Sequence, residues 1–382
     1  MTSRERVLCA VNRQKVDRIP IDLGGMRASG ISAGAYHRLK QQLGIQTPTR
    51  VADAQFMLAE VEPAVLERLH ADVLPLDWSM ASGAVQSGSN WTPRTLPDGT
   101  PVLLAPDAQV DGAVSEEQGR IDPAAFKPVA DLTDEQLKRF AQQAQHLRET
   151  TNYAMLGWGF GVCFLGMSRI INHDNDVTQG RPSEWMVMLS SEKATCHEMM
   201  NRSVEASIRC LSQVHQAIGD TCFAWGIASD DSGTQRGEFV TPELWAEMIL
   251  PHYRKLNDWI HQHTKMKTFF HSCGSVYNLI PHFIDAGIDI LNPVQISAAQ
   301  MDPARLKREF GDKLVFWGGG CDTQSVLPRG TPDEVREHVR RNMQIFGLGG
   351  GYVFNQVHNI QANVPAENIH AMFDEAYQCA VR

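Results

Sequence analysis

Two side chains one residue apart, His271 and Cys273, are the strongest chemical signal in the sequence. A thiolate and an imidazole at this spacing can bind one metal ion when the backbone between them is extended or turning, and Gly274 allows a sharp turn directly afterwards. Cys321 follows another apolar run and is preceded by three glycines, which permit close approach. We therefore predict a zinc site on His271, Cys273 and Cys321 with a fourth position open to substrate.

The reaction that suits such a site is chemistry at sulfur. Zinc with soft ligands holds a substrate thiol as a thiolate at neutral pH and keeps it nucleophilic, so we predict alkyl transfer to sulfur. Hydrolysis by zinc-generated hydroxide usually employs histidine or carboxylate ligands and a nearby general base, and it fits less well. A structural interpretation stays open, in which Cys273 is a buried thiol beside a hydrogen-bonded histidine.

Further ionisable residues follow apolar runs elsewhere in the chain. Asp230 and Asp231 are adjacent, so on an extended backbone only one of them would face the metal site. Two interpretations stay open: the pair orients substrate, or it forms a turn. Glu238 follows in the same loop. Asp77 and His358 follow the second and last apolar runs and can face each other across a barrel mouth. We predict that Asp77, Asp231, Glu238 and His358 orient the acceptor or manage protons.

These residues need a framework that brings strand ends together. Short apolar runs alternate with amphipathic stretches from end to end, which indicates βα units around a parallel sheet. Eight runs resemble strands and predict an α/β fold, a (β/α)8 TIM barrel whose site lies at the carboxyl ends of the strands. The runs are residues 18–23, 71–77, 153–158, 222–228, 266–270, 288–294, 314–317 and 352–355.

Helix boundaries are marked by capping residues. Thr331 precedes a proline and has Glu334 three positions on, which predicts a capping box; Thr133 and Thr241 are two further predicted helix starts. The glycine-rich stretch 347–351 precedes a strand instead of opening a helix. It is therefore predicted to be a helix exit and not a phosphate-binding loop.

One region, about residues 81–131, interrupts the alternation with glycine, serine and proline. The dipeptide Asp98-Gly99 within it predicts a β-hairpin. This region contains too little apolar sequence for a core of its own. We predict an insertion after strand 2 that lies over one mouth of a single domain spanning residues 1–382.

The composition favours a small-molecule enzyme. The 382 residues are 43% hydrophobic and 21% charged, as in ordinary globular proteins, and the formal net charge of −9 argues against nucleic-acid or anionic-membrane partners. The chain has no apolar run of about 18 residues and no signal-peptide pattern at its start. Eight scattered cysteines are expected to be reduced thiols, and we predict a cytoplasmic protein.

Several motifs together resemble the uroporphyrinogen decarboxylase superfamily, and within it the zinc-dependent, corrinoid-linked methyltransferases. The resemblance runs from about residue 4 to the C-terminus, is specific over residues 222–370 and is faint between 80 and 150. The motifs that carry it are Asp230-Asp231-Ser232-Gly233-Thr234-Gln235, Thr241-Pro242-Glu243, His271-Ser272-Cys273-Gly274, Leu291-Asn292-Pro293-Val294-Gln295, Gly319-Gly320-Cys321-Asp322-Thr323-Gln324, Leu327-Pro328-Arg329-Gly330-Thr331-Pro332 and Phe354-Asn355-Gln356-Val357-His358-Asn359.

The resemblance implies a (β/α)8 barrel and a metal site on the His-x-Cys pair. In the methylcobamide:coenzyme M enzymes a later cysteine after the last strand completes this site. The present chain has His358 at that place and offers Cys321 one strand earlier. The third ligand is therefore open between Cys321 and His358.

The decarboxylases supply a second set of correspondences. Asp77 matches the aspartate that holds pyrrole nitrogens, and His358 matches the histidine of their Asn-Leu-Gly-His-Gly motif. Of their arginine-rich segment only Arg27 is reproduced, which is too few cations for a porphyrinogen bearing many carboxylates. Arg27 and Gln295 are predicted to bind the cofactor.

The combined prediction is a zinc-dependent methyltransferase acting between a corrinoid carrier and a thiol or related small acceptor. The chain lacks the Asp-x-His-x-x-Gly element of corrinoid proteins, so the corrinoid comes from a partner protein or as free methylcobalamin. Two alternatives stay open: a metal-dependent lyase or decarboxylase acting on a small acid, and a non-catalytic tetrapyrrole- or thiol-binding barrel. Relatives are often dimers, so a homodimer is compatible with this prediction.

Overall fold

The computed structural model describes residues 1–77, 91–104, 123–124, 126–165, 169–171, 177–179 and 182–380. Within these ranges the strands are β1 (Arg50–Asp53), β2 (Leu58–Ala59), β3 (Val73–Asp77), β4 (Thr92–Thr95), β5 (Pro101–Leu104), β6 (Ala154–Trp158), β7 (Arg169–Ile171), β8 (Val177–Gln179), β9 (Ala224–Ser229), β10 (Lys267–His271), β11 (Ile290–Asn292), β12 (Val315–Trp317) and β13 (Tyr352–Val353).

The helices lie mainly between the strands of the central sheet. They are α1 (Ser3–Val11), α2 (Ala33–Gln42), α3 (Pro63–Arg68), α4 (Asp134–Thr150), α5 (Pro182–Ser191), α6 (Lys193–Ile218), α7 (Pro242–Met248), α8 (Leu250–His263), α9 (Ile280–Asp285), α10 (Pro303–Phe310), α11 (Val326–Arg329), α12 (Pro332–Phe346) and α13 (Ala366–Ala380). Across the described part of the chain, none of these helices combines the length and the apolar character needed to cross a membrane.

The central sheet is the predicted barrel. Seven parallel strands follow one another in the order β13-β12-β11-β10-β9-β6-β3. The predicted first strand, residues 18–23, forms only a short parallel bridge between Ile21 and Phe354. Its backbone still links both edges, because Asp22 N–H donates to Phe354 O at 2.8 Å and Asp72 N–H donates to Ile21 O at 2.7 Å. Pro20 has no N–H group to donate, so residues 18–23 form fewer hydrogen bonds with the neighbouring strands.

A buried ion cluster fixes this closure at the amino ends of the strands. Asp72, at 0% exposure, accepts hydrogen bonds from Arg6 at 2.7 Å and from Arg18 at 2.8 Å. It also accepts the Ile21 N–H at 2.9 Å. The charge of Asp72 is thus matched by two guanidinium groups, which is the condition for burying it. This cluster joins the N-terminal helix and the first segment to β3.

The barrel interior is filled by aromatic side chains that need small partners. On the outer face of the sheet, an ideal Cβ on Gly157 would lie 2.2 Å from the Trp225 ring, which packs on Phe140 of α4. Inside the barrel, an ideal Cβ on Gly226 would lie 1.9 Å from the Trp158 ring. Trp317 packs edge to face on Phe269 inside the same layer. The two glycines therefore let large side chains occupy neighbouring strands of one sheet.

The predicted helix starts are confirmed. Thr331 accepts the Glu334 N–H at 3.3 Å and donates its own N–H to the Glu334 carboxylate at 2.7 Å. Thr133 opens α4 with a second capping box, and Thr241 caps α7. The stretch 347–351 is the exit of α12, as expected.

The predicted hairpin is confirmed, and it belongs to a sheet that the sequence pattern did not indicate. β4 and β5 pair antiparallel, with Gly99 at φ +85° in the turn. β5 also pairs with β1, and β1 with β2, which gives a four-stranded sheet. Of the predicted insertion, residues 81–90, 105–122 and 125 lie outside the described residues, so its proposed cover over the mouth stays a prediction.

One buried carboxyl makes stability depend on pH. Asp22 accepts hydrogen bonds from Trp317 Nε1 and Gly25 N–H, both at 2.8 Å. Burial raises its pKa from the ordinary value of 3.8 to about 6. An acid whose folded-state pKa is raised stabilises the fold below its unfolded pKa, and this contribution is lost as pH rises through about 6.

We predict that wild-type protein loses about 2 kcal/mol of unfolding free energy between about pH 4.5 and pH 7 through this group, and that Asp22→Asn does not lose it. Urea unfolding of both proteins across this range measures the difference. Parallel pH profiles for the two proteins would contradict the prediction.

Candidate metal centre at the barrel mouth

Three possible metal ligands meet where the strands end. His271 is the last residue of β10, Cys273 follows two positions later, and His358 lies in the loop after β13. Their ligand atoms all lie within 4.8 Å of one another. The Cys273 Sγ is 3.4 Å from His271 Nε2, and the two imidazole rings are 5.7 Å apart in an edge-to-face arrangement. Ligand atoms around tetrahedral zinc are roughly 3.3–3.6 Å apart, so the group fits this ion after a small adjustment.

The position of Asn292 sets the tautomer of His271. The two residues are direct neighbours in the β10–β11 register, and His271 Nδ1 lies 2.7 Å from Asn292 Oδ1. The Asn292 amide nitrogen donates to Trp317 O at 3.0 Å, so its oxygen must be the atom facing the histidine. That oxygen can only accept, which places the proton on Nδ1 and leaves the Nε2 lone pair for a metal.

His358 is oriented in the same way by the next residue. Its Nδ1 lies 2.7 Å from Asn359 Oδ1. The Gln361 amide nitrogen lies 3.5 Å from Asn359 O and 2.7 Å from Asn359 Oδ1, so it donates to both and identifies Oδ1 as an acceptor. His358 therefore also carries its proton on Nδ1 and presents Nε2 as its free nitrogen.

Side chains from the neighbouring strands hold the loop that carries Cys273. The Cys273 N–H donates to Asp231 Oδ1 and the Gly274 N–H donates to Gln295 Oε1, both at 2.8 Å. Gly274 has φ +93°, and a Cβ there would lie 2.2 Å from the Gly233 backbone. The two loops can therefore approach this closely only because both residues are glycine.

The burial and charge of these residues favour a bound cation. Burial lowers the pKa of His271 below its ordinary value, so the imidazole is the neutral form that a metal requires. Burial and the nearby Asp231 carboxylate raise the pKa of the Cys273 thiol. A bound cation reverses this shift, because a coordinating thiol is deprotonated outright.

The structure separates the two candidates for the third ligand. Cys321 is fully buried, with its Sγ 3.9 Å from Asp322 O, in the apolar core outside the barrel. It is not part of the ligand group. Its thiol belongs to the same apolar cluster as Tyr352 and Phe354. The site thus contains His358 where the first sequence prediction had Cys321.

The two aspartates diverge as their alternation predicts. Asp230 is fully buried and accepts the Leu165 N–H at 2.9 Å and the Tyr253 hydroxyl at 2.7 Å, so it fastens a loop to α8. Asp231 faces the metal centre, with Oδ1 at 3.8 Å from His271 Nε2. Glu238 accepts the Asn278 N–H at 3.2 Å, which is a bond at the start of a helical turn.

Asp77 and Arg27 lie together beside a separate cavity of about 200 Å³ at the same mouth. Gln295 accepts a hydrogen bond from the Gly274 N–H and donates one to Gln235 at 2.9 Å.

The sequence analysis did not predict the roles of Asn292 and Asn359. Both stood within the motifs that carry the family resemblance, but no spacing rule connects an asparagine to a histidine on the next strand.

Comparisons with known proteins agree with this architecture. The chain matches the sequence profile of the family described as "Uroporphyrinogen decarboxylase (URO-D)" over residues 2–379. A (β/α)8 barrel with a candidate metal centre at its mouth is thus placed in a known class. The chain belongs to the uroporphyrinogen decarboxylase family.

Individual relatives are distant. A "Uroporphyrinogen decarboxylase" of Psychromonas ingrahamii is 31% identical over 81 residues, which is 21% of this chain and 22% of that protein. One of Pseudoalteromonas translucida is 30% identical over 76 residues, 20% of this chain and 21% of that protein. The matched segments thus span about a fifth of the length of these relatives. A solved "methyltransferase from Methanosarcina mazei" superposes with a TM-score of 0.62 at 14% identity, covering 99% of both chains, and supports the fold.

We predict that His358→Ala and Cys273→Ser lower zinc affinity by at least about tenfold, because each removes one of three ligands, whereas Cys321→Ala keeps zinc binding. Competition with a chelating dye measures the affinity, and elemental analysis should give about one zinc per chain in the wild type. Retained affinity in His358→Ala together with loss in Cys321→Ala would reverse the ligand assignment.

Proposed function

We propose that this chain is a zinc-dependent methyltransferase that moves a methyl group between a corrinoid carrier and a small thiol. The observation that carries the proposal is the group of one thiol and two imidazoles within 4.8 Å. Both imidazoles have their Nδ1 atom bonded to an asparagine oxygen. Such a mixed nitrogen and sulfur set with three protein ligands is typical of catalytic zinc.

His271, Cys273 and His358 would hold the metal, and the fourth position faces the mouth. A zinc ion bound there would lower the pKa of a substrate thiol and leave the sulfur nucleophilic. The histidines contribute no charge and the cysteine contributes one, so the site keeps a net positive charge for an incoming thiolate.

The residues around the ligands orient the site and receive the proton. Asp231 is half-exposed, with 55% side-chain exposure, and its Oδ1 lies 3.8 Å from His271 Nε2. Its carboxylate is therefore within reach of a thiol entering from solvent and can accept the thiol proton. Asn292, Asn359 and Gln295 act as positioning residues, because each bonds the group next to a ligand atom.

The corrinoid would be supplied by a partner protein or as free methylcobalamin. Such a carrier would supply a methyl group on cobalt(III), and its transfer to the thiolate sulfur would leave the electron pair of the carbon–cobalt bond on the corrinoid. The fold likeness to a methyltransferase over 99% of the chain supports this class of reaction. A location in the cytoplasm also belongs to the proposal.

A metal-dependent decarboxylase is the second candidate, favoured by the names of the curated relatives. The cavity of about 200 Å³ at the barrel mouth argues against a polycarboxylate substrate. Its lining contains Arg27 as a cation against the carboxyl groups of Asp53, Glu60 and Asp77. Substrate carboxylates would be repelled there, so this candidate is restricted to a small acid.

We predict that zinc-loaded wild-type protein converts methylcobalamin to cob(I)alamin under anaerobic conditions only when a thiol is present. Cys273→Ser should lower the rate by at least about a hundredfold, because it removes a metal ligand. The absorbance of the corrinoid follows the reaction.

The matched control is Cys9→Ser, which changes a thiol on α1 and should react like the wild type. Carbon dioxide release from a small acid, with no reaction of methylcobalamin or of a methylated corrinoid protein with any thiol, would favour the decarboxylase. Equal rates in Cys273→Ser and wild type would contradict the proposed role of the metal centre.

A further inference from the structure

The cavity of about 200 Å³ at the barrel mouth has unsatisfied acceptors in its wall. It lies between the Gly24–Arg27 loop, the turn that joins β1 to β2, and the ends of β3 and β6. The same loop is bonded to the segment that carries His358, because Gln356 donates to Ser29 O at 3.0 Å. The cavity and the metal centre therefore open at one mouth.

Two carboxylate oxygens of the wall are buried without a hydrogen-bond donor among the described residues, namely Asp53 Oδ2 and Glu60 Oε2. Asp53 Oδ2 lies 2.9 Å from Arg27 Nε as an ion pair, but not in hydrogen-bond geometry. Glu60 Oε2 lies 3.8 Å from Arg50, beyond hydrogen-bond distance. A buried acceptor left in this condition costs free energy, which a ligand carrying N–H donors would recover.

The charge of the wall points to the same kind of ligand. Among the described residues of the lining, Asp77 adds a third carboxyl group and Arg27 is the single cation. The remaining lining is mostly apolar, including Leu23 and Met26, and Trp158 contributes an indole ring. A small cation on a short apolar chain fits the carboxylates, the apolar side chains and the indole ring of this wall, since carboxylates and an indole both attract a cation.

We infer that the substrate thiol carries an ammonium group, which this cavity binds through Asp53 and Glu60. The inference rests on the proposed function, because the metal centre is what calls for a thiol. An ammonium group brings three N–H donors, enough for both unsatisfied oxygens and one more contact. The cavity is smaller than ordinary ligand pockets of about 300–1,000 Å³, so the thiol is short. Anionic thiols are excluded by repulsion.

Three thiols with the same two-carbon chain and terminal groups of different charge test the inference: cysteamine, 2-mercaptoethanol and 2-mercaptoethanesulfonate. Titration calorimetry with the zinc-loaded full-length protein measures their dissociation constants. We expect cysteamine to bind at least about tenfold more tightly than the sulfonate, with the neutral thiol between them. Equal or tighter binding of the sulfonate would overturn the inference.

Variants locate the preference in the cavity. Glu60→Gln and Asp53→Asn should each reduce the preference for cysteamine to within about threefold, because each removes one carboxylate while keeping its shape. Glu198→Gln, an exposed change on α6, is the matched control and should keep the full preference. Full preference in both cavity variants would also overturn the inference.

A metal-independent measurement separates this inference from the proposed function. The S-methyl thioethers of the three thiols cannot donate a proton from sulfur, and their binding to metal-free protein can be followed by ligand-observed NMR. Preference for the ammonium thioether without any methyl transfer would support the cavity and contradict the methyltransferase. Methyl transfer to the sulfonate thiol at the rate measured with cysteamine would support the methyltransferase and contradict the preference of the cavity for an ammonium group.

Discussion

The arrangement at the mouth depends on two asparagine oxygens that each bind the proton of a histidine ring. Asn292 holds His271 and Asn359 holds His358, both at 2.7 Å. Without these bonds either ring nitrogen could carry the proton, and the ring could rotate away from its partners. With them, two neutral imidazoles direct Nε2 to the place where Cys273 directs its sulfur. Hydrogen bonds within the protein thus orient the ligand group.

The register of the barrel strands places a histidine ligand next to its asparagine partner. His271 and Asn292 face each other because β10 and β11 pair in parallel at that residue, and Trp317 on the next strand fixes the amide orientation. Trp317 in turn donates its indole N–H to Asp22, in the segment that closes the barrel. A chain of hydrogen bonds therefore connects barrel closure to the metal centre. The cost is the buried Asp22 carboxyl, whose pKa burial raises to about 6, and it is tolerated because two N–H donors face it.

Much of this could be predicted from sequence, and the part that could not has a physical reason. Strand-length apolar runs gave the barrel, since β3 and β6 lie within residues 71–77 and 153–158. The His-x-Cys spacing located two ligands because both are local in sequence. The third position required knowing which way the Cys321 side chain points, and spacing along the sequence does not give this; the structure buries that side chain in the apolar core. The strands β1 and β2 were not predicted because strands of 4 and 2 residues are too short to show an alternating pattern.

The most direct test of the metal centre is X-ray absorption at the zinc edge of the zinc-loaded wild-type protein. The ligand group predicts one protein sulfur at about 2.3 Å and two imidazole nitrogens at about 2.0 Å from the metal, in the absence of added thiol. Addition of a substrate thiol should raise the sulfur count by one. Two protein sulfurs before any thiol is added would contradict the account, because a second cysteine would then occupy the place assigned to His358.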